Sequence, residues 1–448
     1  MLHIKQKSVN TIYTAAFIAI AVFLIVFRLH NAVSFNPYWG YDGGAHLDYI
    51  FSVAQTGQIP SIQENTVAWH EPLYYFLQAG YLKIVMIFTD DIKILLKSLS
   101  VAQAVLSLAT SALLLLLLKH IVKNKIALIT SFTLLSLLPP FTEASTFITN
   151  ELLNNFFILL LLVLFFYKVS DKQLTRRDAF VLGAIAGLAM LTKITSIIVI
   201  SIIAAYLIYR AFLEKSRATI ANAIIFILLV VLFAVPWQIY RAQNILPSPT
   251  INNPVLLEPR PLAFDERVKF YTFFDTDIYK FPMWYSGGRA FWSMIYADSF
   301  YDYYGIMEND DLIEQTAKEN LVRTSVSDTY VSRRNFSLSS YLVWLALIPA
   351  TIAILGIIAM IARARKKEIE PIFGLVVSFA FFCALLYFSY RYPYPDQGIV
   401  KSIFIYPAYI FPIAYGLDGK MKSIIFTPLL LAYIITLAMA FWVTKFNY

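Results

Sequence analysis

The sequence predicts an all-α polytopic membrane protein, and three observations carry that reading. Hydrophobic residues make up 59% of the 448 and charged residues 14%, where a soluble domain carries about 25% charge. Apolar runs near the length that crosses a bilayer recur along most of the chain. Lys and Arg collect in the short polar breaks between runs, so the net charge of +8 is a topology signal and calls for no nucleic-acid partner. The single cysteine, Cys383, excludes an intrachain disulfide. Neither a G-x-x-x-x-G-K-[ST] loop nor a Rossmann glycine pattern occurs, which removes support for nucleotide-driven transport or a cytoplasmic nucleotide-sugar domain.

The apolar runs fall at 11–29, 72–88, 94–118, 126–142, 151–168, 179–192, 194–209, 219–236, 339–362, 371–389, 402–417 and 423–443. The first lacks a small-residue cleavage site and reads as a retained span. The second is marginal, and sidedness decides its fate. If 72–88 lies along the interface, the basic clusters Lys5/Lys7, Lys119/Lys123/Lys125, Lys168/Lys172/Arg176/Arg177, Arg210/Lys215/Arg217, Arg363/Arg365/Lys366/Lys367 and Lys420/Lys422 all fall inside. The loops 31–71 and 141–150, which hold no Lys or Arg, then fall outside. About eleven spans result, with the N-terminus cytoplasmic, the C-terminus outside and 72–88 a juxtamembrane helix. Three regions follow: a transmembrane module over 1–236 with its first external loop at 30–93, a large extracytoplasmic loop over 237–338, and C-terminal helices over 339–448. The hundred-residue loop exceeds an ordinary connection, and its role is expected to lie with the acceptor.

Chemistry-bearing residues concentrate at one membrane face. Asp42 and His46 are spaced i, i+4 and share a helix face behind Tyr38-Trp39-Gly40-Tyr41. Asp42 could take a proton from a hydroxyl, hold a divalent cation with His46, or simply cap the helix. In Trp69-His70-Glu71-Pro72, Pro72 suits a first helical turn. His70 and Glu71 either join Asp42 around a divalent cation or a phosphate-bearing substrate, or serve as a solvated histidine and a helix-dipole partner. Glu151 follows Thr149-Asn150 at the outer mouth of a span, where burying a carboxylate is costly; a favourable first-turn Glu is the plainer alternative. Lys193 sits between two short apolar runs, outside, against the positive-inside trend. It reads as a cation for a phosphate rather than as a snorkelling anchor. Lys401 is a second external lysine at a span mouth, and Arg391 precedes it, so the three together could neutralise a phosphate.

Taken in order, these stretches resemble the GT-C integral-membrane glycosyltransferases, in the branch of protein O-mannosyltransferases and lipid A aminoarabinose transferases. The matching stretches are Tyr41-Asp42-Gly43-Gly44-Ala45-His46, Trp69-His70-Glu71-Pro72-Leu73-Tyr74-Tyr75, Thr149-Asn150-Glu151-Leu152, the run from Gly187 to Lys193, Val235-Pro236-Trp237, and Lys401-Ser402-Ile403-Phe404-Ile405-Tyr406-Pro407. The resemblance implies a GT-C bundle with interfacial helices in its first external loop. It also implies a polyprenyl-phosphate-linked sugar as donor, an acceptor hydroxyl on a lipid, glycan or protein, and inverting transfer on the extracytoplasmic face of the cell membrane. Within it, Asp42 corresponds to the general base and Glu151 to a second acidic position. Lys193 and Lys401 correspond to cations near the donor phosphate, and His70 and Glu71 to a polar pair reaching a metal or the donor head group. No certain cofactor follows; a divalent cation at Asp42, His70 and Glu71 is the one candidate. Many relatives carry an acid directly after the first-loop aspartate, where this chain has Gly43. A transporter or flippase for lipid-linked saccharides would use the same cations without chemistry, but no inverted repeat or mid-span charge pattern supports it. Gly43 keeps an accessory subunit with a degenerate site as a further alternative.

Overall fold

The computed structural model describes residues 2–168, 174–245, 263–280, 282, 290–303, 321–323, 330–391, 400–418 and 426–443. These form seventeen α-helices, short 3-10 turns and one two-stranded antiparallel hairpin pairing Leu321 with Ser332 and Arg323 with Tyr330. Helix α1 (Leu2–Ser34) leads into the first loop, which carries α2 (Gly43–Thr56) and α3 (Leu73–Met86) before α4 (Ile92–Ile121). Helices α5 (Lys125–Leu137) and α6 (Pro139–Thr146) follow, then α7 (Glu151–Lys168), α8 (Arg176–Met190), α9 (Ile197–Glu214) and α10 (Arg217–Asn244). The later part comprises α11 (Phe264–Thr272), α12 (Phe291–Phe300), α13 (Arg333–Leu345), α14 (Leu347–Ala364), α15 (Ile369–Arg391), α16 (Tyr406–Asp418) and α17 (Phe426–Ala440).

Among the described residues, seven helices are long and apolar enough to cross a bilayer, or eight if the bent pair α5–α6 counts as one span. The chain is thus a multi-pass membrane protein. Large aliphatic side chains stand exposed along these helices, such as Val22, Leu232 and Ile358; lipid, not water, is their natural solvent. Among the described residues, the sequence expectation of about eleven spans is not confirmed. The runs at 179–192, 402–417 and 423–443 become α8, α16 and α17, of 15, 13 and 15 described residues, where a span needs roughly 20. The run at 72–88 becomes α3, a 14-residue helix that is likewise not among the spans.

Local chemistry explains the breaks. Leu138 precedes Pro139, and a residue before proline is steered out of the helical region; it takes φ −52°, ψ 140°, and the pair bends by 53°. Pro140 has no N–H to offer the carbonyl of Ser136. The buried Arg28 guanidinium donates to that carbonyl instead. Pro236 fails to end α10, which continues to Asn244, so the boundary expected at 236 lies inside the helix. Helices α14 and α16 touch backbone to backbone: a Cβ on Gly356 would lie 1.7 Å from the Pro412 carbonyl, and one on Gly416 2.1 Å from that of Ile352. Small residues at such crossings let dispersion replace the hydrophobic drive that lipid removes.

Candidate active site

The first loop builds the site's upper wall. Gly40 takes φ +102°, and Asp42 itself sits in the left-handed region at φ 57°, ψ 23°, immediately before α2. A non-glycine residue there is strained by about 1–3 kcal/mol unless its surroundings hold it. Asp42 occupies the N-cap position, yet its side chain makes no capping hydrogen bond and stands exposed. Capping therefore does not account for this aspartate. Gly43 is fixed by contact: a Cβ on it would lie 2.8 Å from the Tyr38 carbonyl oxygen. A larger residue at 43 has no room in this turn.

One helical turn on, His46 is buried, and its Nδ1 lies 2.8 Å from the Tyr75 hydroxyl of α3. Its ring meets that of His70 edge-on, with centroids 5.6 Å apart. Burial pushes the His46 pKa down to about 4; Asp42 resists this, while Lys193 and Lys401 reinforce it. Enclosure, then Lys193, His46 and Arg241, also hold His70 well below the ordinary histidine range. Both rings are neutral at physiological pH. Asn150 Nδ2 donates to His70 Nδ1 and to the Thr192 carbonyl, each at 3.2 Å, tying the start of α7 to the first loop. The Leu73 N–H donates to the Leu191 carbonyl at 3.0 Å, which docks α3 against the end of α8.

The cations enter from two later segments. Lys193 lies in the break between α8 and the 3-10 turn Ile194–Ser196; its ammonium is ion-paired with the buried Glu151 carboxylate and sits 5.0 Å from the Phe404 ring centroid. Lys401 precedes the 3-10 turn Ser402–Ile405, and its Nζ lies 4.1 Å over the Tyr41 ring. Burial lowers the Lys401 pKa, while Asp42 and Asp298 work in the opposite direction. Asp42, His46, Lys193 and Lys401 thus share one electrostatic field at the helix mouths.

Glu71 is buried and faces Arg241 of α10 at 3.9 Å; burial raises its pKa despite Arg241, Lys193 and the Ile194 N–H. Among the described residues, no group of three or more His, Cys, Asp or Glu side chains is placed to hold a metal ion. Of the Asp42, His70 and Glu71 set, Glu71 turns to Arg241 and His70 to Asn150. Arg391 ends α15 with its side chain exposed, whereas Lys193 is largely enclosed; the rest of its motif, 392–398, lies outside the described residues.

Sequence reading missed Asp298, Arg241 and Glu143. Asp298, on α12, is fully buried; its Oδ2 accepts the Ser402 N–H at 2.5 Å and its Oδ1 the Tyr41 hydroxyl at 3.4 Å. Nothing in its own neighbourhood of the sequence marks it. Glu143 is buried in α6 and interacts electrostatically with Lys401 and Asp298. It is the only charged residue between Lys125 and Glu151, and such isolation in an apolar stretch is a usable signal.

The architecture defines a class. Over 97% of its length, the chain superposes on the oligosaccharyltransferase of Archaeoglobus fulgidus, crystallised with a tethered acceptor peptide, at TM-score 0.52 and 13% identity. It spans 56% of that enzyme's length. The two chains thus share a fold. Residues 70–240, less than half of the chain, match the family described as dolichyl-phosphate-mannose-protein mannosyltransferase. A looser likeness, with TM-score 0.39 and 13% identity over 95% of this chain and 78% of the other, is to ArnT from Cupriavidus metallidurans bound to undecaprenyl phosphate. No curated protein sequence matches the chain.

Proposed function

We propose that the protein transfers a sugar from a polyprenyl-phosphate donor to an acceptor hydroxyl at the extracytoplasmic face of the cell membrane. The observation that carries this reading is the pairing of an exposed, uncapped, left-handed Asp42 with two enclosed lysines from separate segments. A carboxylate held out at a cost in backbone strain is suited to accept a proton. Ammonium groups withdrawn from water are suited to a leaving phosphate, because charge building on its oxygens is stabilised most where the dielectric is low.

The step balances as a direct displacement. The acceptor oxygen bonds to the anomeric carbon and its proton passes to the Asp42 carboxylate. The bond from the anomeric carbon to the phosphate oxygen breaks, and the electron pair leaves with the polyprenyl phosphate against Lys193 and Lys401. Attack opposite the leaving group inverts the anomeric centre. Glu151 holds Lys193 in place, and His46 and His70 are neutral, so the lysines carry the positive charge at the phosphate.

The test is mass spectrometry of cell-envelope glycans and lipids from a strain lacking the gene, complemented with wild type or Asp42→Asn. One sugar should vanish and return only with wild type. Equal restoration by Asp42→Asn would remove the catalytic reading and favour a transport or accessory role.

A further inference from the structure

The segment between α10 and α13 resembles nothing assigned by motif, yet one of its side chains reaches the centre of the site. The geometry points to Asp298 as a positioning residue that sets Lys401 for the donor phosphate; this rests on the donor-phosphate role proposed above for Lys401. Asp298 grips Ser402, the residue after Lys401, twice. Its Oδ2 accepts the Ser402 N–H at 2.5 Å, and its own carbonyl accepts the Ser402 hydroxyl at 2.7 Å. Its Oδ1 accepts the hydroxyl of Tyr41 at 3.4 Å, and the Tyr41 ring carries the Lys401 ammonium 4.1 Å from its centroid. One buried carboxylate therefore fixes both the backbone from which Lys401 springs and the ring on which its charge rests.

The charge balance fits the same role. Asp42, Asp298, Glu143 and Lys193 all act on Lys401, the three acids favouring its charged form and Lys193 opposing it. Burial lifts the Asp298 pKa to about 6, with the Ser402 bonds and Lys401 pulling it back, so the carboxylate is largely ionised at neutral pH. Lysine carries a flexible four-carbon stem, and aiming its ammonium takes an external restraint. Asp298 supplies that restraint from a part of the chain remote in sequence. The large external segment thereby contributes to the donor-phosphate side of the site, beyond the acceptor role its position suggested.

Binding of undecaprenyl monophosphate to the purified full chain in nanodiscs tests this. Asp298→Ala should weaken binding about tenfold, the scale of a lost charge-assisted hydrogen bond. Because the effect runs through Lys401, the double variant Asp298→Ala/Lys401→Ala should bind no more weakly than Lys401→Ala alone. Ser299→Ala, which cuts a bond from the same helix to Tyr409, should leave binding unchanged and serves as the control for a general disturbance of α12. Asp298→Asn keeps an acceptor for the Ser402 N–H, and Ser402→Ala removes only the hydroxyl bond; each should give a partial loss, and they decide the matter if Asp298→Ala does not fold. Unchanged binding in the Asp298 and Ser402 variants while Lys401→Ala binds weakly, or additive losses in the double variant, would overturn the inference. Unchanged binding in Lys401→Ala would instead overturn the phosphate role of Lys401 itself.

Discussion

Gly43 offers the sharpest test of how the first loop works, because its neighbour Gly44 provides the control. A Cβ added at 43 would meet the Tyr38 carbonyl oxygen at 2.8 Å, the Tyr38 carbonyl carbon at 3.1 Å and the Pro37 carbonyl oxygen at 3.4 Å. All three are backbone atoms, so no side chain can swing aside; the 37–43 turn has to open. Overpacking of this kind costs about 1–3 kcal/mol. The displaced residue would be Asp42, and a shift of about 1 Å at a reacting group can lower a rate about 100-fold. Gly44 meets nothing within 4 Å, and its replacement by alanine even favours the helix. Gly43→Ala should therefore cut sugar transfer about 100-fold and lower the melting temperature, while Gly44→Ala leaves both near wild type. The assay is the yield of the modified envelope component in complemented cells, alongside thermal unfolding of purified protein. Equal activity in both variants would refute the argument that Gly43 is kept for space.

Three further outcomes are expected. Glu151→Gln strips the enclosed Lys193 of its ion-pair partner and should destabilise the protein by about 3–5 kcal/mol, with Glu151→Gln/Lys193→Met recovering part of the loss; melting temperatures decide, and an unchanged value in the single variant sinks the pairing. His46 stays neutral in the folded chain down to about pH 4 but ionises near its ordinary 6.5 when unfolded. Its contribution is fully present above pH 6.5 and is lost as pH falls towards 4, so His46→Gln should flatten the pH dependence of melting in that window, and an unaltered slope counts against it. In a Cys383→Ser background, Val85→Cys should be labelled by an impermeant thiol reagent from outside and Lys123→Cys only from inside; the reverse at Lys123 overturns the orientation.

Periodicity and charge placement were enough to identify the class of fold, because lipid imposes long apolar helices and sorts lysine to one side. Span number was less legible, since apolar runs do not record where a helix stops. The two runs that meet at Lys193 become α8, ending at Met190, and α9, starting at Ile197, and the break between them is what frees Lys193 to point at Glu151. The site followed the same rule. Asp42, His46 and His70 stood out as candidates because they lie in one charged stretch of a greasy chain. The left-handed backbone that exposes Asp42 could not, since it is imposed by the tight turn from Tyr38 rather than by Asp42 itself. Pairings across the sequence were hidden altogether: Glu151 with Lys193, Glu71 with Arg241, and Asp298 with Ser402 join residues from 42 to 170 positions apart. A buried charge has to find its partner wherever packing brings one. In this fold the partners converge at the start of α7, the end of α8 and the start of α16, where the first loop and α12 close over them.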